Sequence, residues 1–387
     1  MTASPEPSVP AVRDSRTFDA AWREAMARAQ EAVLPAGRVF VSCSAPLGTG
    51  GLGRHLEELV DALRRRESPT TCFSGTARPA SSTRRSLLQR PRVPDPAEVL
   101  RVLPVRVSPG VRMRAFTTEF DARAARRMPR AEHVIAFNGQ ALRQFRVATR
   151  AGYESRLLVS ANSHLRRVAR QHALAHARYP LERSWTTQLV KRNLREYSCA
   201  DRIYVASSYV RDSFRDEGFA DEVISEFPLT PDPRYAPRHA QSSGASFDIV
   251  YVGSLAVHKG VPLLIDAFRR LPYEDMRLRL VGGWGSRGMR HFVQRACSGD
   301  RRISVCPGDP LPHLRAARLC VHPAYEDGFG YAPAEALACG VPVIVSEDTG
   351  MKDLIDSGRT GLILATGDID SLTEAIEATY RGELLGG

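Results

Sequence analysis

Lysine is nearly absent from this chain of 387 residues: Lys191, Lys259 and Lys352 are the only three, so 54 − 3 = 51 of the basic residues are arginine. With alanine abundant, that bias reads as GC-rich codon usage rather than selection for a partner, and the formal net charge of +11 loses most of its force as a sign of nucleic-acid binding. A basic surface that did act would lie at 84–92 or 123–130 and attract phosphate-bearing lipids or nucleotides without specificity, a weak association with an anionic membrane. No recognition motif and no aromatics interleaved with the basic residues are present, so nucleic acid is excluded as a partner. No apolar run approaches the ~20 residues of a membrane span. The first residues have neither a basic n-region nor an apolar h-region, so the expected location is cytoplasmic, or peripheral at the inner face of the membrane. The seven cysteines (43, 72, 199, 297, 306, 320 and 339) form no C-x-x-C and are odd in number. That excludes a disulfide framework and a zinc site, and predicts reduced thiols that fill the interior.

What is present is a soluble globular composition, 43% hydrophobic and 25% charged, on a chain long enough for two domains. Residues 1–16 read as a disordered tail. An amphipathic helix at 18–34 places Phe18, Trp22, Met26, Ala29 and Val33 near helical spacing. Strands follow at 38–42, 70–73, 101–107, 133–137, 156–160 and 202–206, with helices at 54–66, 139–150, 165–178, 185–197 and 209–216 and an exposed loop at 75–96. Residues 231–246 have linker composition and divide an N-terminal domain, 17–230, from a C-terminal one, 247–387. The second array has strands at 248–252, 277–281, 303–306, 319–321, 342–345 and 361–364, with a helix ending at 271, short helices at 311–317 and around Glu335, and a last helix at 369–380. Strands alternating with helices predict an α/β chain of two doubly wound parallel sheets.

The stretch 322–345, HPAYEDGFGYAPAEALACGVPVIV, organises the rest. It gives the end of a strand, a loop, a short helix and a second strand, and such loops open where parallel sheets bind ligands. Asp327 and Glu335 lie eight apart, before and after the Gly328-Phe329-Gly330 turn. Glycines let backbone N–H groups approach a ligand, the helix N-terminus suits phosphate, and a carboxylate within the helix can accept from both hydroxyls of a ribose diol. On these residues alone, the commoner reading is Asp327 as a helix cap and Glu335 as a solvated side chain. A second glycine cluster, Gly48, Gly50, Gly51 and Gly53 before Arg54, sits between a strand and a helix; it suits either a phosphate loop or a tight turn and is no Walker loop, lacking G-K-[ST]. Lys259, in Gly253-Ser254-Leu255-Ala256-Val257-His258-Lys259-Gly260, suits holding a diphosphate at a helix start, the alternative being a solvated helix-start residue. Asn138 and Gln140 after one strand, and His164 after the next, could orient hydroxyls or relay a proton; His164 could equally cap its helix.

Together these residues resemble the retaining GT-B glycosyltransferases of family 4, whose donor site reads E-x7-E followed by A-x-A-x-G-x-P-V. The match is Asp327 and Glu335, then Ala336, Ala338, Gly340, Pro342 and Val343. Asp327 stands where the family has its first Glu, and Ser254 where it often has Arg, whose part Arg54 could take. The resemblance implies two Rossmann-like domains facing a central cleft and transfer of a hexose from a UDP- or GDP-linked donor with retention. It implies no metal and no cofactor beyond the co-substrate; no D-x-D in a fitting place and no His/Cys ligand set speak otherwise. By the same resemblance Lys259 and Asp327 would act in catalysis, with His164 handling a proton. Gly50, Gly51, Gly53, Arg54, Gly253, Ser254, Gly283, Pro307, Gly308, Gly328, Phe329, Gly330 and Glu335 would line the donor, and Asn138, Gln140 and His164 the acceptor.

The acceptor is expected to be a small molecule of specialised metabolism, with a lipid-linked or polysaccharide acceptor as the alternative. The usual family chain continues past 368–380 with helices that cross back onto the N-terminal domain, and the helix at 18–34 is expected to take their place. Two other classes stay open: a non-catalytic GT-B protein that binds a nucleotide sugar, favoured by the Asp and Ser departures, and a GT-B sugar-nucleotide epimerase.

Overall fold

The computed structural model describes residues 18–75, 108–237 and 246–385. The expected tail at 1–16, the basic segment 84–92, nearly all of the loop at 75–96, the strand at 101–107 and the centre of the linker, 238–245, lie outside the described residues. Within them the chain divides into two units, an N-terminal one of 26–169 with 183–229 and a C-terminal one of 18–25, 170–182 and 230–385.

The chain opens with α1 (Ala20–Val33), whose buried side chains run Phe18, Trp22, Met26, Gln30 and Leu34 at a spacing of four. Residues to Ala25 group with the C-terminal unit, where Arg23 Nη1 donates to the Pro231 carbonyl at 2.9 Å. Those from Met26 on group with the N-terminal unit, where Gln30 Nε2 donates to the Pro228 carbonyl at 2.8 Å.

The N-terminal unit is a parallel sheet of β1 (Val39–Cys43), β2 (Thr70–Ser74), β3 (His133–Phe137), β4 (Ser155–Ser160), β5 (Arg202–Val205) and β6 (Ile224–Glu226), in the order β2-β1-β3-β4-β5-β6. VFVSC and HVIAF bury every residue, the unbroken apolar pattern of strands covered on both faces. Around it pack α2 (Gly50–Arg65), α3 (Pro109–Ala125), α4 (Leu142–Ala151), the start of α5 (Leu165–Arg178), α6 (Val190–Tyr197) and α7 (Ser208–Arg215). Leu56, Leu59, Val60 and Leu63 give α2 its buried stripe.

The C-terminal unit repeats the plan with β7 (Phe247–Val252), β8 (Met276–Val281), β9 (Ile303–Val305), β10 (Leu319–His322), β11 (Val343–Ser346) and β12 (Gly361–Leu364), ordered β12-β11-β10-β7-β8-β9. Its helices are α8 (Val261–Arg269), α9 (Arg287–Gly299), α10 (Leu311–Ala316), α11 (Tyr331–Ala338) and α12 (Ile369–Tyr380). The connections run one way from β7 to β9 and the other way from β10 to β12, so β7 and β10 flank the switch point where ligands bind such sheets. The N-terminal sheet has its own switch point between β1 and β3.

Three features differ from expectation. Residues 170–182, expected in the N-terminal domain, belong to the C-terminal unit. Polar bonds hold them there: Gln171 Nε2 donates to Asp348 Oδ2, Tyr179 Oη to Asp266 Oδ2 and Val257 N to Glu182 Oε1, each at 2.8 Å. The helix expected at 185–197 is a 3₁₀ turn (Thr186–Gln188) and then α6, with the break at Leu189, whose carbonyl accepts from both the backbone and the side-chain amide of Asn193. Finally, α3, α9 and β6 are additional elements. In α3 the large apolar residues Val111 and Met113 face out, 44% and 40% exposed, while Thr117, Phe120, Asp121 and alanines face in, so its apolar spacing is faint.

Candidate functional site

The loops that leave β7 and β10 at the switch point are locked together by backbone. Gly260 has φ +73°, and a Cβ on it would lie 1.9 Å from the Pro323 carbonyl oxygen, so only glycine allows this approach. Tyr325 N donates to the His258 carbonyl across the same gap at 2.9 Å. The lock sets Lys259 against the β10 loop: Nζ lies 2.9 Å from Asp327 Oδ2 and donates to the Glu326 carbonyl at 3.1 Å. His322 Nε2, at the end of β10, is 3.0 Å from the same Oδ2. The Asp327 backbone is fixed too, its N–H donating to the Asp348 carbonyl at 3.1 Å and its carbonyl accepting from Gly350 N at 2.9 Å.

Burial by itself would raise the pKa of Asp327; the Lys259 ammonium and the His322 hydrogen bond outweigh it and hold the carboxyl well below the usual range. Asp327 is therefore a carboxylate. Its Oδ2 takes both donors, and among the described residues no hydrogen bond reaches Oδ1. His322 is 3% exposed and stacked at 5.9 Å and 7° on Tyr251, whose hydroxyl donates to the Ser254 carbonyl at 2.8 Å.

Past Asp327, Gly330 at φ +89° turns the chain into α11, and the buried Phe329 ring meets Tyr331 edge-on at 5.0 Å. Gly328 is buried at the turn. Glu335, one turn into α11, is 3% exposed and engaged within the protein. Burial first, and then the Glu335 charge, raise the Cys320 thiol; Cys339 is pushed up to about 11 mainly by burial. All seven cysteines are free thiols, as expected, and neither of these is a reactive one.

The remaining expected donor residues of this unit sit along the carboxyl ends of β7, β8 and β9. Gly253 and Gly282 pack backbone to backbone, with a Cβ on Gly282 falling 1.7 Å from the Gly253 carbonyl oxygen. Ser254, Gly283, Pro307 and Gly308 are exposed, and Trp284 beside Gly283 is 40% exposed. Among the described residues, no group of His, Cys, Asp and Glu could hold a metal ion.

In the N-terminal unit the glycine loop is part structural. Gly48 and Gly50 have φ +70° and +63°, and a Cβ on Gly53 would fall 2.1 Å from the Pro46 carbonyl oxygen. Thr49, Gly50 and Gly51 are exposed at the start of α2, where Thr49 makes no side-chain cap, so the first N–H groups of the helix stay open. Arg54 lies in the next turn and is engaged within the protein. Two of the three expected acceptor residues are withdrawn by their surroundings. His164 is fully buried among Tyr197, Phe214 and Phe219, with ring centroids 4.8, 5.1 and 5.9 Å away. Gln140 is 3% exposed and its Oε1 accepts from Ser44 N at 2.7 Å. Asn138 is half-buried, and its side chain bonds the Tyr197 hydroxyl.

Several residues at the site were not anticipated. His322 had a signal, a histidine closing a strand five positions before the carboxylate. Gln171, on Asp348, and His172, stacked 4.3 Å from His258, had none, because they come from a helix about 150 positions earlier in the chain.

Residues 246–381 match the family described as Glycosyl transferases group 1. Over 135 residues the chain is 32% identical to the O-antigen chain mannosyltransferase B of Escherichia coli, covering 33% of this chain and 35% of that protein. Over 145 residues it is 28% identical to a D-inositol 3-phosphate glycosyltransferase of Paenarthrobacter aurescens, covering 35% and 36%. The chain thus spans about a third of the length of these curated relatives. In structure it resembles the sucrose-phosphate synthase of Thermosynechococcus elongatus, with a TM-score of 0.61 at 17% identity over 91% of this chain and 92% of that one. That likeness extends to both units. The fold is GT-B, and the family match, to the group 1 glycosyl transferases, lies within residues 246–381.

Proposed function

We propose that the chain is a retaining, metal-independent transferase of the family 4 type, moving a hexose from a UDP- or GDP-linked donor to a small-molecule acceptor. One observation carries the reading: Lys259 and His322 both hold Asp327 by Oδ2 at a sheet switch point, leaving Oδ1 open, in the register of the family's donor motif. An ammonium has three N–H donors. Lys259 uses two, on Asp327 and the Glu326 carbonyl, and the third is available to the leaving diphosphate, where charge develops. Asp327 Oδ1 accepts from a hydroxyl of the transferred sugar, Glu335 from the ribose, and exposed backbone at Gly283, Pro307 and Gly308 borders the base. The open N–H groups of Gly50 and Gly51 suit a phosphate or an acceptor hydroxyl, with Asn138 beside the same sheet end. Attack from the face the diphosphate leaves requires no protein nucleophile.

The test is a thermal-shift panel with UDP, GDP, ADP, dTDP and their sugar conjugates, followed by donor turnover with and without EDTA. Binding to the native state raises the melting point by mass action. A shift by one nucleotide, lost in Glu335→Ala, with turnover that EDTA leaves intact, supports the reading. No shift and no turnover would leave a non-catalytic GT-B protein.

A lipid-linked acceptor is the second reading, and the first turns of α3 favour it. Val111 and Met113 are exposed there, alternating with Arg112 and Arg114, a mixture suited to an anionic bilayer surface. Co-sedimentation with phosphatidylglycerol vesicles, lost when Val111 and Met113 become serine, would select it.

A further inference from the structure

We infer that His322 is a positioning residue for the donor carboxylate: through Asp327 it fixes where the transferred sugar is held. The inference rests on the donor reading above. Asp327 Oδ2 has two partners, Lys259 at 2.9 Å and His322 at 3.0 Å. They differ in what a donor does to them. A diphosphate arriving at Lys259 competes with Asp327 for the ammonium, and the ion pair weakens as the charge is shared. His322 has nothing to share.

Its ring is buried and clamped on the Tyr251 ring, and it stands on the last residue of β10, a strand bonded on both sides, to β7 and β11. Its other nitrogen, Nδ1, is buried with no hydrogen-bond partner. Nε2 faces a carboxylate oxygen that can only accept, so Nε2 carries a proton and donates it to Asp327. A donor fixed on Oδ2 orients the carboxylate and leaves Oδ1 as an acceptor for a sugar hydroxyl.

The same pairing accounts for aspartate at this place. A side chain one methylene shorter than glutamate ends nearer the strand, within reach of His322. Asp327 and His322 are thus one device, and its loss should appear in turnover rather than in nucleotide binding.

The experiment compares wild type, His322→Gln, His322→Phe, Asp327→Asn and the His322→Phe/Asp327→Asn double variant for kcat and KM of the donor and for affinity for the free nucleoside diphosphate. His322→Phe should lower kcat roughly 10- to 100-fold, the range of one hydrogen bond to a charged group, with diphosphate affinity within about twofold. His322→Gln, which keeps an N–H near Nε2, should recover most of that loss. In the Asp327→Asn background, His322→Phe should cost nothing more. Unchanged kcat in His322→Phe, additive losses in the double variant, or an equal loss of diphosphate affinity would overturn the inference. So that folding does not decide the matter, the wild-type protein with ¹⁵N-labelled histidine supplies a second readout. The Nε2–H signal of His322 should persist with saturating diphosphate, and its loss there would also overturn the inference. Absence of wild-type turnover with any donor would instead refute the donor reading itself.

Discussion

At the scale of single residues, Lys259 and Gly260 are adjacent and answer to different physics. Lys259→Ala removes the cation beside Asp327 and, under the proposed function, the one that meets the diphosphate, so it should lower kcat by about 100- to 1,000-fold, as loss of one preorganised electrostatic donor does. The activity assay is the check, with a retained melting transition showing that the fold survives. Gly260→Ala touches no ligand. It places a Cβ 1.9 Å from the Pro323 carbonyl oxygen at φ +73°, so it should destabilise the C-terminal unit by roughly 2 kcal/mol or more, read by urea melting. Asp327 and Glu335 could be singled out as candidates in the sequence because their spacing within one strand-loop-helix unit is fixed by local geometry, and Lys259 because lysine is rare and it stands before the helix of another such unit. His164 and Gln140 were misread for the complementary reason: a residue after a strand is near the ligand-binding end, but only the packing of α5, α6 and α7 shows that His164 is walled in by aromatic rings.

At the scale of elements, α4 shows how a helix start can be held from afar. Ala141 offers no side-chain cap, yet Glu196 Oε1 accepts from Ala141 N at 3.0 Å and Leu142 N at 3.2 Å, Asp121 accepts from Arg143 N at 2.8 Å and Gln144 N at 3.1 Å, and Gly139 N donates to Glu196 as well. Two carboxylates on α6 and α3 thus satisfy N–H groups that a local cap normally serves. Arg192 joins them, its Nε bonding Glu196 Oε1 at 3.0 Å and its Nη2 bonding Asp121. Arg192→Ala leaves two buried carboxylates without their cation and should destabilise the N-terminal unit by about 3–5 kcal/mol, measured by denaturant unfolding. Arg192→Lys should recover only part, since one ammonium cannot reproduce the fork.

At the scale of the whole molecule, buried titratable groups predict that the two units answer acid differently. In the C-terminal unit, burial pushes His172 down to about 3 from 6.5, and burial with its neighbours pushes His258 well down. Each is neutral when folded and takes up a proton only when unfolded. Their stabilisation is whole above pH 6.5 and is lost as pH drops below it, for His172 by about 1.4 kcal/mol per pH unit toward pH 3. In the N-terminal unit, burial likewise lowers His55 to about 3, but burial raises Glu196 to about 7 from 4.5. Glu196 takes up a proton when folded before it does when unfolded, so its effect opposes that of His55 between pH 6.5 and 4.5. Calorimetry from pH 7 to 5 should therefore show the C-terminal transition moving to lower temperature while the N-terminal one holds. Equal shifts in both would refute these assignments, and His172→Gln should flatten the C-terminal slope.

What the sequence by itself determined is what short-range order determines. Apolar strands alternating with amphipathic helices gave β3, α5, β12 and α12 to the residue, and the spacing of Asp327, the glycine turn and Glu335 gave the candidate donor motif. Tertiary structure alone decided the rest. It put the loops of β7 and β10 side by side, because a right-handed crossover pattern places first and fourth strands at the switch point. It assigned residues 170–182 to the C-terminal unit through Gln171, Tyr179 and Glu182, whose partners lie 75 to 177 positions away. And it set His322 against Asp327, since the loop between them folds back in a way that no periodicity encodes.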